Sequence, residues 1–115
     1  MPTTFEERER AFEAQFAHEQ EFRFLVSARR DKLFARWAAD RMALSDDEAH
    51  ALAVAVLAIP DRPDHEEAVL RRIEDQLAAQ GKSASRAELT GVRRGCMQQA
   101  LQQLTQKPPE YSEIL

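Results

Sequence analysis

A chain of 115 residues is one ordinary domain, long enough for a modest hydrophobic core but not for two. Apolar residues make up 43 % of it, which argues against wholesale disorder; 3 glycines and 1 tyrosine amid Ala, Glu, Gln, Arg and Leu disfavour a β-sandwich. The formal net charge of −4 argues against a general nucleic-acid binder, and the single cysteine, Cys96, excludes an internal disulfide.

The N-terminus, Met1-Pro2-Thr3-Thr4-Phe5-Glu6-Glu7, is acidic and lacks the basic and apolar segments of a signal peptide. The longest apolar run, Ala51 to Ile59, falls well short of the roughly 20 residues that span a membrane. The expectation is a soluble, intracellular, all-α chain with no direct membrane insertion.

Four helix starts are readable as capping boxes, in which a Ser, Thr or Asp side chain accepts from a free helix N–H and an acid three residues on reaches back. They are Thr4 with Glu7, Ser45 with Glu48, Asp64 with Glu67, and Ser85 with Glu88. The first helix has no stop signal of its own, so its end near Ala43 is set by the next start. From Glu21 to Ala43 it carries three acids against six Arg and Lys, with Phe22, Leu25, Val26, Leu33 and Trp37 on one broad face. From Thr3 to Gln20 it carries five Glu against two Arg and a thinner stripe of Phe5, Phe12 and Phe16.

At 1.5 Å per residue the first helix would be about 60 Å long, against roughly 23 to 33 Å for the others. Its N-terminal part must therefore project, kink, stay unformed, or fold back on its own bundle. A segment with aromatic anchors at one-turn and two-turn intervals among Glu6, Arg8, Glu9 and Glu13 reads as an amphipathic helix seeking a groove.

The second helix presents Ala49, Leu52, Ala53, Val56 and Leu57 at helical spacing. Its apolar run would also fit a buried strand, but no partner strand is legible elsewhere. Pro60 and Pro63 end it. The third helix is expected to bury Val69, Leu70, Ile73 and Leu77 and to stop at Gly81 in a left-handed cap. The fourth is expected to bury Leu89, Val92, Cys96, Met97, Ala100, Leu101 and Leu104, and Pro108-Pro109 close it. Gly91 and Gly95 inside it fit a close helix crossing, a frayed turn or a hinge. Short connections predict a four-helix bundle with a long first helix whose N-terminal part projects or is disordered when free. The expected division is an arm at 1–20, a bundle at 21–107 and a flexible tail at 108–115.

Within the first helix, Phe5-Glu6-Glu7-Arg8-Glu9-Arg10-Ala11-Phe12-Glu13, Phe16-Ala17-His18-Glu19, Phe24, Ala28-Arg29-Arg30-Asp31-Lys32-Leu33 and Trp37-Ala38-Ala39-Asp40 resemble the zeta inhibitory subunit of the alphaproteobacterial F-type ATP synthase. The likeness is dense from Thr3 to Met42 and looser from Ser45 to Leu104, where mainly helix lengths and apolar positions agree. Family members commonly have glycine where this chain has Ala35 and Ala43.

The resemblance implies an inhibitor of ATP hydrolysis rather than an enzyme. Its N-terminal segment would enter a catalytic interface of the head, made of alpha and beta subunits, reach the gamma rotor, and block rotation in the hydrolysis direction. By position, Phe5, Arg8, Phe12 and Phe16 would be anchors, Glu6, Glu9 and Glu13 would meet basic groups, and Thr4 would belong to the same partner-binding arm. The bundle would dock outside the head, peripheral to the inner membrane on the cytoplasmic side. The free protein is expected to be a monomer without cofactor. The alternative is a non-inhibitory structural or assembly subunit docking on the same head.

Other chemistries find little support. No phosphate loop is present, and His18, His50 and His65 lack metal-ligand spacing with one another or with Cys96. Asp46-Asp47-Glu48 and Glu66-Glu67 lie in first helical turns, where acids complement the helix dipole. The third and fourth helices read superficially as a helix-turn-helix, with Arg86, Arg93 and Arg94 for phosphates, against the acidic charge. His18, at the junction of arm and bundle, is either a pH-sensitive docking element or a solvated histidine.

Overall fold

The computed structural model describes residues 4–106 as four helices: α1 (Phe5–Arg41), α2 (Asp46–Leu57), α3 (His65–Ala79) and α4 (Arg86–Gln106). The tail expected at 108–115 lies outside the described residues. The molecule measures 67 × 27 × 21 Å, and α1, about 55 Å long, makes up most of its length. α1 packs chiefly against α4 and α2, while α3 closes the bundle against α4 and α1.

Two of the four expected capping boxes form completely. Thr4 Oγ1 accepts from the Glu7 N–H at 3.2 Å, and the Glu7 carboxylate accepts from the Thr4 N–H at 3.2 Å. Ser45 and Glu48 do the same at 3.2 and 3.1 Å, and these bonds from the Ser45 backbone and side chain hold the Glu48 carboxyl below its ordinary value. At α4, Ser85 accepts from the Glu88 N–H at 3.0 Å, while the Glu88 carboxylate lies 3.4 Å from Arg41.

The box expected at Asp64 is a correction. Asp64 makes no side-chain capping bond, and the turn before α3 is instead set by the His65 N–H donating to the Arg62 carbonyl at 2.8 Å. The Pro60–Pro63 bracket bends the chain tightly enough that a backbone bond takes the place of the side-chain cap. Gly81, at φ +70°, is the left-handed stop expected after α3, and the Lys82 N–H closes it on the Leu77 carbonyl at 2.9 Å.

α1 ends at Arg41, and the chain reverses through Ala43 at φ +54°. This is one of the two positions where the resemblance implies glycine. A Cβ in that region is disfavoured by roughly 1–2 kcal/mol, partly offset by the greater unfolded-state freedom of glycine. Ala43→Gly should therefore stabilise the fold by about 0.5–1 kcal/mol in urea unfolding. Ala35, the other position, is fully buried, so the small side chain is what the packing admits.

The main core joins Phe34, Ala35, Ala38, Ala39 and Met42 of the first helix and its cap to Leu52, Val56, Val69, Leu70, Ile73, Leu77, Leu89 and Cys96. A second cluster, Leu25, Val26, Ala100 and Leu104, pins the middle of α1 to the end of α4. The α1 core is displaced from the expected one: Trp37 and Leu33 are half-buried, and Phe34 with its alanines takes the centre. Trp37 lies stacked on Phe34, ring centroids 6.0 Å apart, with the Arg41 guanidinium over the Trp37 ring at 5.4 Å from its centroid. Leu101, expected inside, is 42 % exposed.

The close crossing suggested for Gly91 and Gly95 is also corrected. A Cβ built at either meets nothing within 4 Å, and both lie within the unbroken α4. Gly91→Ala and Gly95→Ala should each raise stability by roughly 0.5–1 kcal/mol, read as an upward shift in thermal midpoint.

Candidate functional site: the exposed face of the first helix

The chain from Thr4 to Glu21 is helical from Phe5 onward and exposed throughout. Good helix formers, a complete capping box and Glu6 and Glu7 in the first turn keep it helical without tertiary cover. Phe5, Phe12 and Phe16 are 82 %, 72 % and 56 % exposed. At 100° per residue they fall within about 40° of one another around the axis. Neither fold-back onto the bundle nor an unformed segment describes this arm; it projects.

Thr4 caps the helix, and Glu6, Arg8, Glu9 and Glu13 are exposed around the stripe. His18 is exposed as well, but by the same angular count it lies on the side of α1 opposite the phenylalanines. A surface histidine away from the stripe is poorly placed to act on what the rings touch.

Phe24 is a further exposed aromatic, at 63 %. It stands on the lip of a groove of about 590 Å³ between α1 and the chain joining α2 to α3. One wall carries Gln20, Arg23, Ser27 and Arg30, and the other carries Leu57, Ile59, Pro60 and Asp61.

At the inner end of the groove lies a charged cluster that sequence patterning did not single out. Asp31 is 3 % exposed, and its carboxylate accepts from His65 Nε2 at 2.8 Å and from Arg30 Nε at 3.0 Å. Arg93, 8 % exposed, lies 3.7 Å from Asp31 and 3.4 Å from Glu66. His65 Nδ1 is 2.9 Å from the Pro60 carbonyl. Burial, and then the neighbouring Arg30, push the Arg93 guanidinium below its usual value, with Asp31 and Glu66 opposing.

A signal for Asp31 was present: it stands four and seven residues before the fully buried Ala35 and Ala38, in the register of the core face. With both His65 nitrogens engaged and Asp31 surrounded by cations, the cluster holds α1, α3, α4 and the α2–α3 connection together. It offers no free base.

The remaining candidates resolve structurally. Arg86 is tied to Glu67 at 2.6 Å and Glu74 at 3.2 Å, and Arg93 is buried, which removes two of the three phosphate contacts of a helix-turn-helix. Glu48, Glu66 and Glu67 are engaged in caps and ion pairs. Cys96 is buried, and that burial pushes its thiol up. It should react with iodoacetamide far more slowly than a free thiol at pH 8, and at the free-thiol rate once the chain is unfolded in urea. Among the described residues, no group of three or more His, Cys, Asp and Glu is placed to hold a metal ion. Among them, too, no helix is long and apolar enough to cross a membrane.

The family model described as ATPase inhibitor subunit zeta matches residues 2–103. No curated protein and no solved structure matches the chain.

Proposed function

The chain belongs to the ATPase inhibitor subunit zeta family, and from that premise we propose that it restrains ATP hydrolysis by an F-type ATP synthase through the N-terminal part of α1. The observation that carries the reading is the projecting helix with Phe5, Phe12 and Phe16 exposed along one side. A helix that presents aromatic anchors over successive turns is built for a groove on a partner, and leaving such rings in water is unfavourable. From Thr4 to Gln20 it reaches roughly 25 Å, enough to pass from the outside of a subunit interface toward its interior.

In this reading residues 1–20 are the inhibitory arm and 21–107 the body that stays outside the head. The arm enters a catalytic interface between alpha and beta subunits, with the rings as anchors and Arg8, Glu6, Glu9 and Glu13 paired to charges along the entry. Its tip meets the gamma rotor and stops rotation in the hydrolysis direction. Rotation in the synthesis direction pushes it out. A preformed helix favours this mode, because less ordering entropy is lost on entry than for a segment that must fold there.

The test is hydrolysis by the cognate head, depleted of this subunit, titrated with the full chain and with a chain starting at Glu21. Inhibition by the full chain alone supports the brake. Binding by both without inhibition by either makes the protein a structural or assembly subunit.

A further inference from the structure

The uncovered side of α1 carries a seam that is symmetric about Phe16. Phe5, Glu9, Phe12 and Phe16 follow one another at steps of four, three and four residues, and Phe16, Gln20, Arg23 and Ser27 repeat those steps. At 100° per residue all of them fall within about 80° of one another around the axis. An eleven-residue repeat of this kind keeps a seam on one face of a nearly straight helix, because eleven residues make almost three whole turns. Every member of the seam is exposed except Ser27, which is half-buried at the edge of the groove. Neither Glu9 nor Arg23 has an ion-pair partner among the described residues.

We propose that this seam pairs with the same seam of a second copy of the chain, antiparallel about a two-fold axis at Phe16. The sequence suggests a free monomer; the layout of the exposed face points to a weak dimer. In the pair each Phe16 meets its counterpart, each Phe12 lies across from Gln20, and each Glu9 pairs with Arg23 of the other copy. Phe5 reaches Ser27, at the mouth of the groove. The same rings cannot then enter the ATP synthase head, so the dimer holds the arm inactive. Only this last consequence rests on the inhibitory reading.

Three observations select a second copy, in this orientation. First, the face is self-complementary, as a two-fold contact requires: Glu9 and Arg23 each stand seven residues from Phe16, so the axis that joins the aromatic rings also brings opposite charges together twice. Second, a parallel pair would set Glu9 on Glu9 and Arg23 on Arg23, and like charges across an interface are unfavourable. It would also bring both bundles to one end, whereas the antiparallel pair keeps them at opposite ends of an overlap of roughly 33 Å. Third, the area fits a reversible dimer. The three arm rings expose roughly 400 Å² in each copy, so a pair removes about 800 Å² of ring surface from water, short of the ~1,200–2,000 Å² of a stable interface. Glu9, Gln20 and Arg23 add to this, which places the association at micromolar strength.

Sedimentation equilibrium of the full chain, from about 1 to about 500 µM, tests the pairing without the head. The variants are Glu9→Arg, Arg23→Glu, the two together in one chain, Phe16→Ala, and Leu101→Ala as an exposed control on α4. Glu9, Phe16 and Arg23 are exposed, so melting curves should match wild type. Wild type should pass from monomer to dimer within the range. Glu9→Arg, Arg23→Glu and Phe16→Ala should each weaken the dimer by about tenfold or more, while Leu101→Ala stays within about twofold of wild type. The chain carrying both charge changes should recover to within about threefold of wild type, because the pair is restored with its signs exchanged. Glu9 and Arg23 lie roughly 21 Å apart along one helix, so that recovery can arise only between copies. A wild-type chain that stays monomeric, or grows beyond a dimer, overturns the proposal, and so does a charge exchange that fails to recover. Masking is read separately, on the depleted head: the initial rate of inhibition should rise as the square root of protein concentration once the dimer dominates. A linear rise there overturns masking. Absence of inhibition at every concentration defeats the inhibitory reading and leaves the dimer to be judged by sedimentation.

Discussion

Replacing Asp31 with alanine should lower stability by about 3–5 kcal/mol, the usual result of removing one member of a buried ion cluster and stranding the others. Asp31 is the shared acceptor for His65 and Arg30 and the buried anion beside the Arg93 fork, and it is almost wholly inaccessible. Without it, a guanidinium that is 8 % exposed keeps only Glu66, which is largely in solvent. A domain of this size has roughly 5–15 kcal/mol in hand, so the variant would be at or near the point of unfolding at room temperature.

The comparison that isolates the charge is a double-mutant cycle with Arg93→Met. Arg93→Met alone leaves Asp31 paired to His65 and Arg30, and should cost less, about 1–2 kcal/mol. In the double variant the two losses should fall short of additive by about 1–3 kcal/mol, because the stranded charge is gone. Urea unfolding at pH 7 reads all four corners. A cost below about 1 kcal/mol for Asp31→Ala would show that water replaces the carboxylate and that the cluster holds nothing together.

The second large effect lies at the other end of the same helix and has the opposite signature. Phe12→Ala with Phe16→Ala should leave stability within about 0.5 kcal/mol of wild type, since both rings are mostly in water. Inhibition of hydrolysis should nevertheless weaken by at least 30-fold, because central aromatic anchors of an interface typically carry about 2 kcal/mol or more each. Titration of the depleted head measures the loss, and a melting curve confirms the fold. A pair of variants that melts early would place the rings against the bundle. A pair that inhibits like wild type would move the brake elsewhere.

Together the two variants divide α1 by what covers it. In its last turns the alanines Ala35, Ala38 and Ala39 are buried by α2, α3 and α4, and the fold depends on them. In its first turns the side chains face solvent and should matter only to a partner.

Much of this was written in local sequence. Helix number and order follow from capping residues, prolines and Gly81, because these act within four residues and need no tertiary partner. The stripe of Phe5, Phe12 and Phe16 was readable for the same reason, since helical periodicity alone places them together. The dense N-terminal likeness pointed to the family that the match over residues 2–103 then established.

Where local rules misled, a longer-range contact had taken precedence. Asp64 was expected to cap α3, but the proline turn supplies a backbone bond and draws His65 to Asp31, 34 residues away in sequence. Gly91 and Gly95 suggested a crossing that α4 does not make there, because its contacts run along other faces. Spacing places Leu101 in the core, yet it lies off the face of α4 that buries Ala100 and Leu104 against α1, and is exposed.

The sequence by itself thus determined four helices, the stops of α2 and α3, and an amphipathic arm, all of which depend on dihedral preference and side-chain period. Only the tertiary structure decided that Asp31, His65 and Arg93 meet, that Phe34 rather than Trp37 centres the core, and that one side of α1 runs uncovered from Phe5 into a groove. Those outcomes depend on which face of each helix meets which neighbour, and a charge is stabilised or stranded only once its surroundings have been assembled.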